Sequence, residues 1–138
     1  MLKSLTLTLL AATTLSACVQ TPAQTARAAQ DAAATQLALD KELAGLVPTG
    51  NTSTCLPILP TAQVKGYGST LIYTVSRRQK YRSDTAGGCE GVGRGDILVT
   101  VSNGGRTCQG DISQTLDRSG HFPTGSCALG PFVEYRRP

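Results

Sequence analysis

Residues 69–76 read STLIYTVS, the clearest strand pattern in the chain. It is rich in β-branched and aromatic side chains, as is typical of a strand. In an extended chain one face carries Leu71, Tyr73 and Val75, and the other carries Thr70, Ile72 and Thr74. The stretch therefore predicts a β-strand.

Similar stretches recur about every ten to twenty residues, with Gly and Asp turns between them. Residues 96–102 (DILVTVS) place Ile97, Val99 and Val101 on one face, and Asn103-Gly104-Gly105 follows as a hairpin signal. The remaining candidates are residues 77–82, 106–116 and 132–135. This spacing predicts a mainly β fold over residues 55–138, a small antiparallel barrel or sandwich. The 15 Gly and 7 Pro among 138 residues exclude a long helical bundle.

One Ala-rich helix is predicted ahead of the β domain, over residues 22–45. Thr21 can cap it, Pro22 suits its first position, and Gln24 completes a capping box. Gly45 and Pro48 end it. Its apolar face is weak until Leu39, Leu43 and Leu46, so we expect a spacer helix that docks by its last turns. A coiled-coil stalk would need apolar positions sustained over three heptads. Residues 46–54 are predicted to be a linker.

The N-terminus has the pattern of an export signal. Lys3 precedes an uncharged apolar run over residues 5–15, which is too short to span a membrane. The run ends in Leu15-Ser16-Ala17-Cys18, which resembles the bacterial lipobox. The resemblance implies that signal peptidase II removes residues 1–17. It also implies that Cys18 carries acyl chains, so that residues 18–21 form a lipidated N-terminus.

Acylation at Cys18 makes a membrane the expected partner, since two or more chains give stable anchoring. In similar lipoproteins an Asp directly after the acylated Cys marks retention in the inner membrane. Val19 stands there in this chain. The resemblance therefore implies an outer-membrane lipoprotein that faces the periplasm.

Four cysteines remain after Cys18, an even number in an oxidising compartment. They are Cys55, Cys89, Cys108 and Cys127. We expect two disulfides, each worth roughly 2–4 kcal/mol to a domain with a small core. The sequence leaves all three pairings open. Zinc is the rival interpretation, but close ligand pairs are missing and His121 is the only histidine. No metal or other cofactor is expected.

No set of residues in the sequence indicates an enzyme. Gly91-Val92-Gly93-Arg94-Gly95 precedes a strand, whereas phosphate-binding loops open a helix. His121 follows Ser119-Gly120 without a nucleophile motif around it. We therefore predict no catalytic residues.

A candidate anion patch lies at residues 77–82, because Arg78, Lys80 and Arg82 alternate and Arg77 adds a fourth charge. It could bind an anionic envelope component, or it could be a solvated edge strand whose charges prevent aggregation. The net charge of the chain is only +4, so no nucleic-acid partner is expected.

The β domain also carries short segments that match a known group of proteins. They are Cys55-Leu56-Pro57, Thr70-Leu71-Ile72-Tyr73, Tyr81-Arg82, Cys89-Glu90-Gly91-Val92, Asp96-Ile97-Leu98-Val99, Cys108-Gln109-Gly110-Asp111 and Ser126-Cys127-Ala128-Leu129-Gly130-Pro131-Phe132 with Tyr135. In these segments the chain resembles a domain-of-unknown-function family of proteobacterial lipoproteins and secreted proteins. Val92 departs from the Leu usual in that family. The resemblance implies a fold and a location in the cell envelope. It implies no activity, because the family has none assigned.

These features together predict a non-enzymatic envelope lipoprotein with a structural or binding role, whose protein partner the sequence does not indicate. The alternative is an inhibitor or adaptor module of the periplasmic lysozyme-inhibitor type. Lysozymes are basic, so such an inhibitor should present an acidic face. Loss of Lys3 with the signal peptide leaves the mature chain at a formal +3, which disfavours this alternative.

Overall fold

Two antiparallel sheets form the body of the protein, which confirms the mainly β prediction. The computed structural model describes residues 21–56, 63–102 and 104–138. The elements are α1 (Pro22–Glu42), β1 (Val47–Ser53), β2 (Gln63–Tyr67), β3 (Thr70–Ser76), β4 (Gln79–Asp84), a 3₁₀ helix (Glu90–Arg94), β5 (Ile97–Val101), β6 (Ile112–Leu116), β7 (Pro123–Ala128) and β8 (Phe132–Arg136). The five-stranded sheet has the order β1-β8-β4-β3-β2, and the three-stranded sheet has the order β5-β6-β7. The sheets do not close into a barrel, so the arrangement is an open sandwich.

The core lies on one face of the five-stranded sheet. Leu71 and Tyr73 of β3 and Phe132 of β8 are buried in it, and the rings of Tyr73 and Phe132 meet edge to face at 5.6 Å. The other face of β3 is buried as well, since Ile72 has no exposed surface. Among the described strands, β3, which the sequence pattern at residues 69–76 predicts, is therefore the most deeply buried.

The second predicted strand has its apolar residues on the opposite side from the core. Ile97, Val99 and Val101 are 37%, 41% and 66% exposed, whereas Leu98 packs against the core. The strand predicted over residues 106–116 is too long, because β6 begins only at Ile112. The segment before β6 is instead bonded to the residues that follow β1: the Leu56 N–H donates to Thr107 O, and the Gln109 N–H donates to Thr54 O. Asn103 of the hairpin signal lies outside the described residues.

The helix begins as the sequence predicts. The Thr21 N–H donates to Gln24 Oε1 at 2.9 Å, and the Gln24 N–H donates back to Thr21 Oγ1 at 3.3 Å. The helix ends at Glu42, three residues before the predicted end. Residues 21–34 are all exposed, and Leu39 is the buried residue of α1. Within the described ranges, no helix combines the length and apolar character needed to cross a membrane.

Glu42 fastens the end of α1 to the outer face of the five-stranded sheet. Its carboxylate accepts hydrogen bonds from Lys65 at 2.9 Å, from the Tyr67 hydroxyl at 2.8 Å and from Lys80. Lys80 also donates to the main-chain oxygen of Glu42 at 2.6 Å. Burial opposes ionisation, but the bonds from Lys80, Lys65 and Tyr67 outweigh it and lower the pKa of Glu42 to about 2. Glu42 therefore remains a carboxylate that holds α1 on β2 and β4.

The prediction of a linker at residues 46–54 is wrong, because β1 occupies most of that range. β1 pairs with β8, with Val47 opposite Arg136 and Ser53 opposite Phe132. Pro48 and Gly50 suggest a loop by composition, but both are tolerated in an edge strand with a bulge. The register indeed shifts between Pro48 and Thr52.

Each of the two disulfides connects the two sheets. Cys55, after β1, is bonded to Cys108 before β6, and Cys89, after β4, is bonded to Cys127 in β7. This selects one of the three pairings that the sequence left open. Cys89 and Cys127 are 1% and 4% exposed and belong to the core, whereas Cys55 and Cys108 are only half-buried.

We predict that loss of the core disulfide destabilises the protein more than loss of the other one. Cys55–Cys108 closes a loop of 53 residues and Cys89–Cys127 one of 38 residues. By restricting the unfolded chain, the longer loop stabilises the protein by only about 0.3 kcal/mol more than the shorter one. Cys89→Ala/Cys127→Ala also leaves a void in the core, and we expect it to cost about 3–5 kcal/mol. Urea unfolding of this variant and of Cys55→Ala/Cys108→Ala measures the two losses in the free energy of unfolding. Equal losses, or the reverse order, would contradict the proposed role of the core pair.

We predict that docking of α1 weakens in acid through Glu42. Because the folded pKa is lower than the ordinary value of 4.5, this stabilisation is complete above pH 4.5 and is lost as the pH falls towards 2. Glu42→Gln should flatten the fall of the melting temperature over this range. Asp40→Asn is the matched control, since Asp40 is an exposed carboxylate on the same helix that contacts Gln36. Identical pH profiles for the two variants would refute the role of Glu42.

Candidate functional site

The predicted anion patch does not stay together in the fold. Lys80 is bonded to Glu42, and the Arg82 guanidinium lies 3.0 Å from Asp84. Only Arg77 and Arg78 remain exposed, as the two-residue turn between β3 and β4. The rival interpretation, a solvated edge strand, is wrong as well, because β4 lies between β3 and β8. The sequence shows that the basic residues alternate, but it does not show that Glu42 pairs with Lys80 and Asp84 with Arg82.

Strand pairing brings two other arginines to the place that Arg77 and Arg78 occupy. Gln79 of β4 is opposite Arg136 of β8, and the Arg137 N–H donates to the Arg78 carbonyl oxygen at 3.0 Å. Arg77, Arg78, Arg136 and Arg137 are all exposed. We refer to these four residues as the basic end of the five-stranded sheet.

Glu134 is the carboxylate next to the basic end, and it pairs with Arg136 alone among the four arginines. It is 7% exposed, and one of its oxygens accepts from Arg136 Nε at 2.6 Å. It also accepts hydrogen bonds from Gln79, Asn51 and Thr49. The Arg136 guanidinium lowers the pKa of Glu134 to about 2 against the opposing effect of burial, and the other three donors add to this. Glu134 is therefore a fixed, ionised part of the sheet.

The basic end can bind anions. Among the described residues, Arg77, Arg78 and Arg137 form no ion pair. A guanidinium presents a planar set of N–H donors that match phosphate or carboxylate oxygens two at a time. Three such groups at one end of the sheet form a cationic surface, and none of them is suited to general acid or base chemistry.

The loop that carries His121 has a structural explanation. The Ser119 hydroxyl donates a hydrogen bond to the Asp117 carboxylate at 2.7 Å, and not to His121. The N–H groups of Ser119 and Gly120 donate to the same carboxylate. The bond from the Gly120 N–H is the main cause of the lowered pKa of Asp117, followed by the Ser119 hydroxyl. These bonds close the turn between β6 and β7. The described part of the chain contains no group of three or more His, Cys, Asp or Glu residues arranged to hold a metal ion.

The glycine-rich stretch at residues 91–95 packs against β2 as part of the 3₁₀ helix. A Cβ at Gly66 would lie 2.7 Å from the backbone nitrogen of Gly93, so only glycine allows this approach. A groove of about 480 Å³ lies on one side of the contact, and one of about 290 Å³ lies on the other. Tyr67 borders both grooves.

The sequence analysis missed Arg136, Arg137 and the residues of the larger groove. The available signal for the basic end was the pair of arginines at 77–78 and again at 136–137. The two pairs can be placed side by side only once the pairing of β4 with β8 is known. Cys18 and the rest of the lipobox, Leu15, Ser16 and Ala17, lie outside the described residues, so acylation stays a prediction.

Comparison of the chain with family models, curated proteins and solved structures found no match. The resemblance to a domain-of-unknown-function family stays a prediction.

Proposed function

We propose that the chain is a lipid-anchored protein of the cell envelope that binds anionic groups through its basic end. The observation that carries the binding role is the convergence of Arg77, Arg78 and Arg137 from two strand ends. Their guanidinium groups are exposed and form no ion pair with the described carboxylates. We infer no catalytic activity for the protein.

Both the sequence and the fold support the proposed cellular location. The lipobox Leu15-Ser16-Ala17-Cys18 supports acylation and export. Two disulfides fit an extracytoplasmic, oxidising compartment, because cytosolic thiols are kept reduced. Val19 after Cys18 favours the outer membrane, on the side that faces the periplasm.

The helix suits the role of a spacer between an acylated Cys18 and the β domain. It has 21 residues and is therefore about 31 Å long. Its first two-thirds bury no side chain, and its last turns dock through Leu39 and Glu42. We propose that this length holds the sheets, with their basic end, away from the membrane that carries the acyl chains.

Phosphate-bearing components of the envelope are the ligands that this surface fits best. Arginine recognises phosphate in two-point hydrogen bonds, and several arginines on one surface attract an anionic layer at moderate salt. Lipid phosphates and phosphate-bearing polymers share this chemistry. Binding should therefore depend on charge and weaken as salt is added.

An inhibitor of the lysozyme type remains the alternative, since small β domains with disulfides include such modules. An inhibitor of a basic enzyme should present an acidic face. The formal charge of +3 on the mature chain ranks this alternative lower. Strong inhibition of a lysozyme by the purified protein would reverse the ranking.

The anchor is tested by Cys18→Ser. We expect the variant to take up no fatty acid and to keep residues 1–17, because acylation needs the thiol and cleavage follows acylation. Labelling of cells with radioactive palmitate and the mass of the purified chain measure both. Val19→Ala is the matched control and should be labelled and cleaved like the parent chain. Palmitate in the Cys18→Ser chain, or a Cys18→Ser chain that begins at residue 18, would refute the anchor.

The basic end is tested with residues 18–138 carrying Cys18→Ser, prepared without the signal peptide, and vesicles of phosphatidylcholine with and without phosphatidylglycerol. Each arginine near an anionic surface is worth about 1 kcal/mol, so Arg77→Ala/Arg78→Ala should weaken binding about thirtyfold at low salt. Arg27→Ala/Arg106→Ala removes the same charge from exposed sites elsewhere and should change binding severalfold less. Equal effects of the two pairs would mean that only net charge matters and would contradict a site.

A further inference from the structure

The larger groove lies at the opposite end of β3 from the basic end. It is bordered by α1, by the turn between β2 and β3, and by the 3₁₀ helix, and its volume is about 480 Å³. Since β3 spans seven residues, the two surfaces are about 20 Å apart. The basic end therefore does not account for the groove.

The walls of the groove carry little side-chain bulk. Ala34, Thr35 and Ala38 form the helical side, and Gly66, Gly68 and Gly93 contribute backbone only. A cleft of this size lies within the range of small-molecule sites in proteins. Backbone and methyl groups leave room for a flat, ring-shaped ligand.

Two side chains of opposite charge line the groove from the 3₁₀ helix. Glu90 and Arg94 are both exposed and form no ion pair with each other or with another described residue. Both oxygens of Glu90 lie 3.0 Å from the Gly88 N–H, which fixes the carboxylate and leaves lone pairs for a further donor. The groove therefore offers a fixed acceptor and a set of donors together.

Tyr67 provides an aromatic side chain at the same place. Its hydroxyl donates to Glu42 at 2.8 Å, and Glu42 is in turn held by Lys80. The ring is thus fixed from its polar end, and Tyr67 borders the groove. An aromatic ring next to groups that donate and accept hydrogen bonds suits a ligand with an apolar face and a polar rim.

We propose that this groove is a saccharide-binding site. The ring of a neutral sugar has apolar C–H faces that pack against Tyr67. Its hydroxyl groups donate to Glu90 and accept from Arg94. A phosphate would be repelled by Glu90, and a purely apolar ligand would leave both charged groups without partners on desolvation. The proposal is independent of the function assigned to the basic end.

The test is calorimetric titration of residues 18–138 carrying Cys18→Ser, prepared without the signal peptide, with maltose, cellobiose and the disaccharide of N-acetylglucosamine. We expect saturable binding of at least one of the three. Arg94→Ala should weaken that binding about tenfold or more, because it removes charged hydrogen bonds. Arg106→Ala is the matched control for charge and should leave the affinity unchanged.

Two further variants separate the groove from a general effect on folding. Ala38→Trp fills the cleft from an exposed helix position and should abolish binding while the melting temperature stays the same. Tyr67→Phe keeps the ring and should bind within about twofold of the parent, whereas Tyr67→Ala should lose about tenfold. The proposal is overturned if none of the three disaccharides binds, if Arg94→Ala binds like Arg106→Ala, or if inorganic phosphate or tetra-alanine displaces the bound sugar.

Discussion

The pairing of β4 with β8 supports both the core and the basic end. It joins two segments that lie far apart in the sequence and places Tyr81 opposite Glu134 and Ser83 opposite Phe132. On the inner face this pairing puts Phe132 and Tyr81 into the core. At its end it brings the turn arginines beside the C-terminal ones. The same hydrogen bonds that complete the sheet therefore create the basic end.

The three-stranded sheet depends on covalent links in addition to packing. Few large apolar side chains lie between the sheets, and a domain of this size has a marginal core. Cys89–Cys127 occupies part of that core, and Cys55–Cys108 secures the approach to β6. A protein stabilised in this way needs an oxidising compartment, which agrees with the export pattern of its N-terminus.

The sequence predicted those features that depend on local pattern. The alternation over β3, the capping box at Thr21 and the use of four cysteines in two pairs all follow from neighbouring residues or from counting. β1 was missed because Pro48 and Gly50 are typical of loops, and only β8 makes this segment a strand. The patch at residues 77–82 was half wrong because Glu42 and Asp84 reach Lys80 and Arg82 through tertiary contacts. Arg136 and Arg137 could not be assigned to the basic end without the β4–β8 register.

We propose that the chain is exported and acylated at Cys18, and that two disulfides stabilise its β domain. Intact-mass spectrometry of the protein extracted from membranes of its own cells, with alkylation before reduction, tests all three features at once. We expect a chain that begins at Cys18, carries fatty acyl chains at that residue and takes up no alkyl label until it is reduced. A chain that begins elsewhere, lacks acyl mass or is labelled before reduction would refute the proposal.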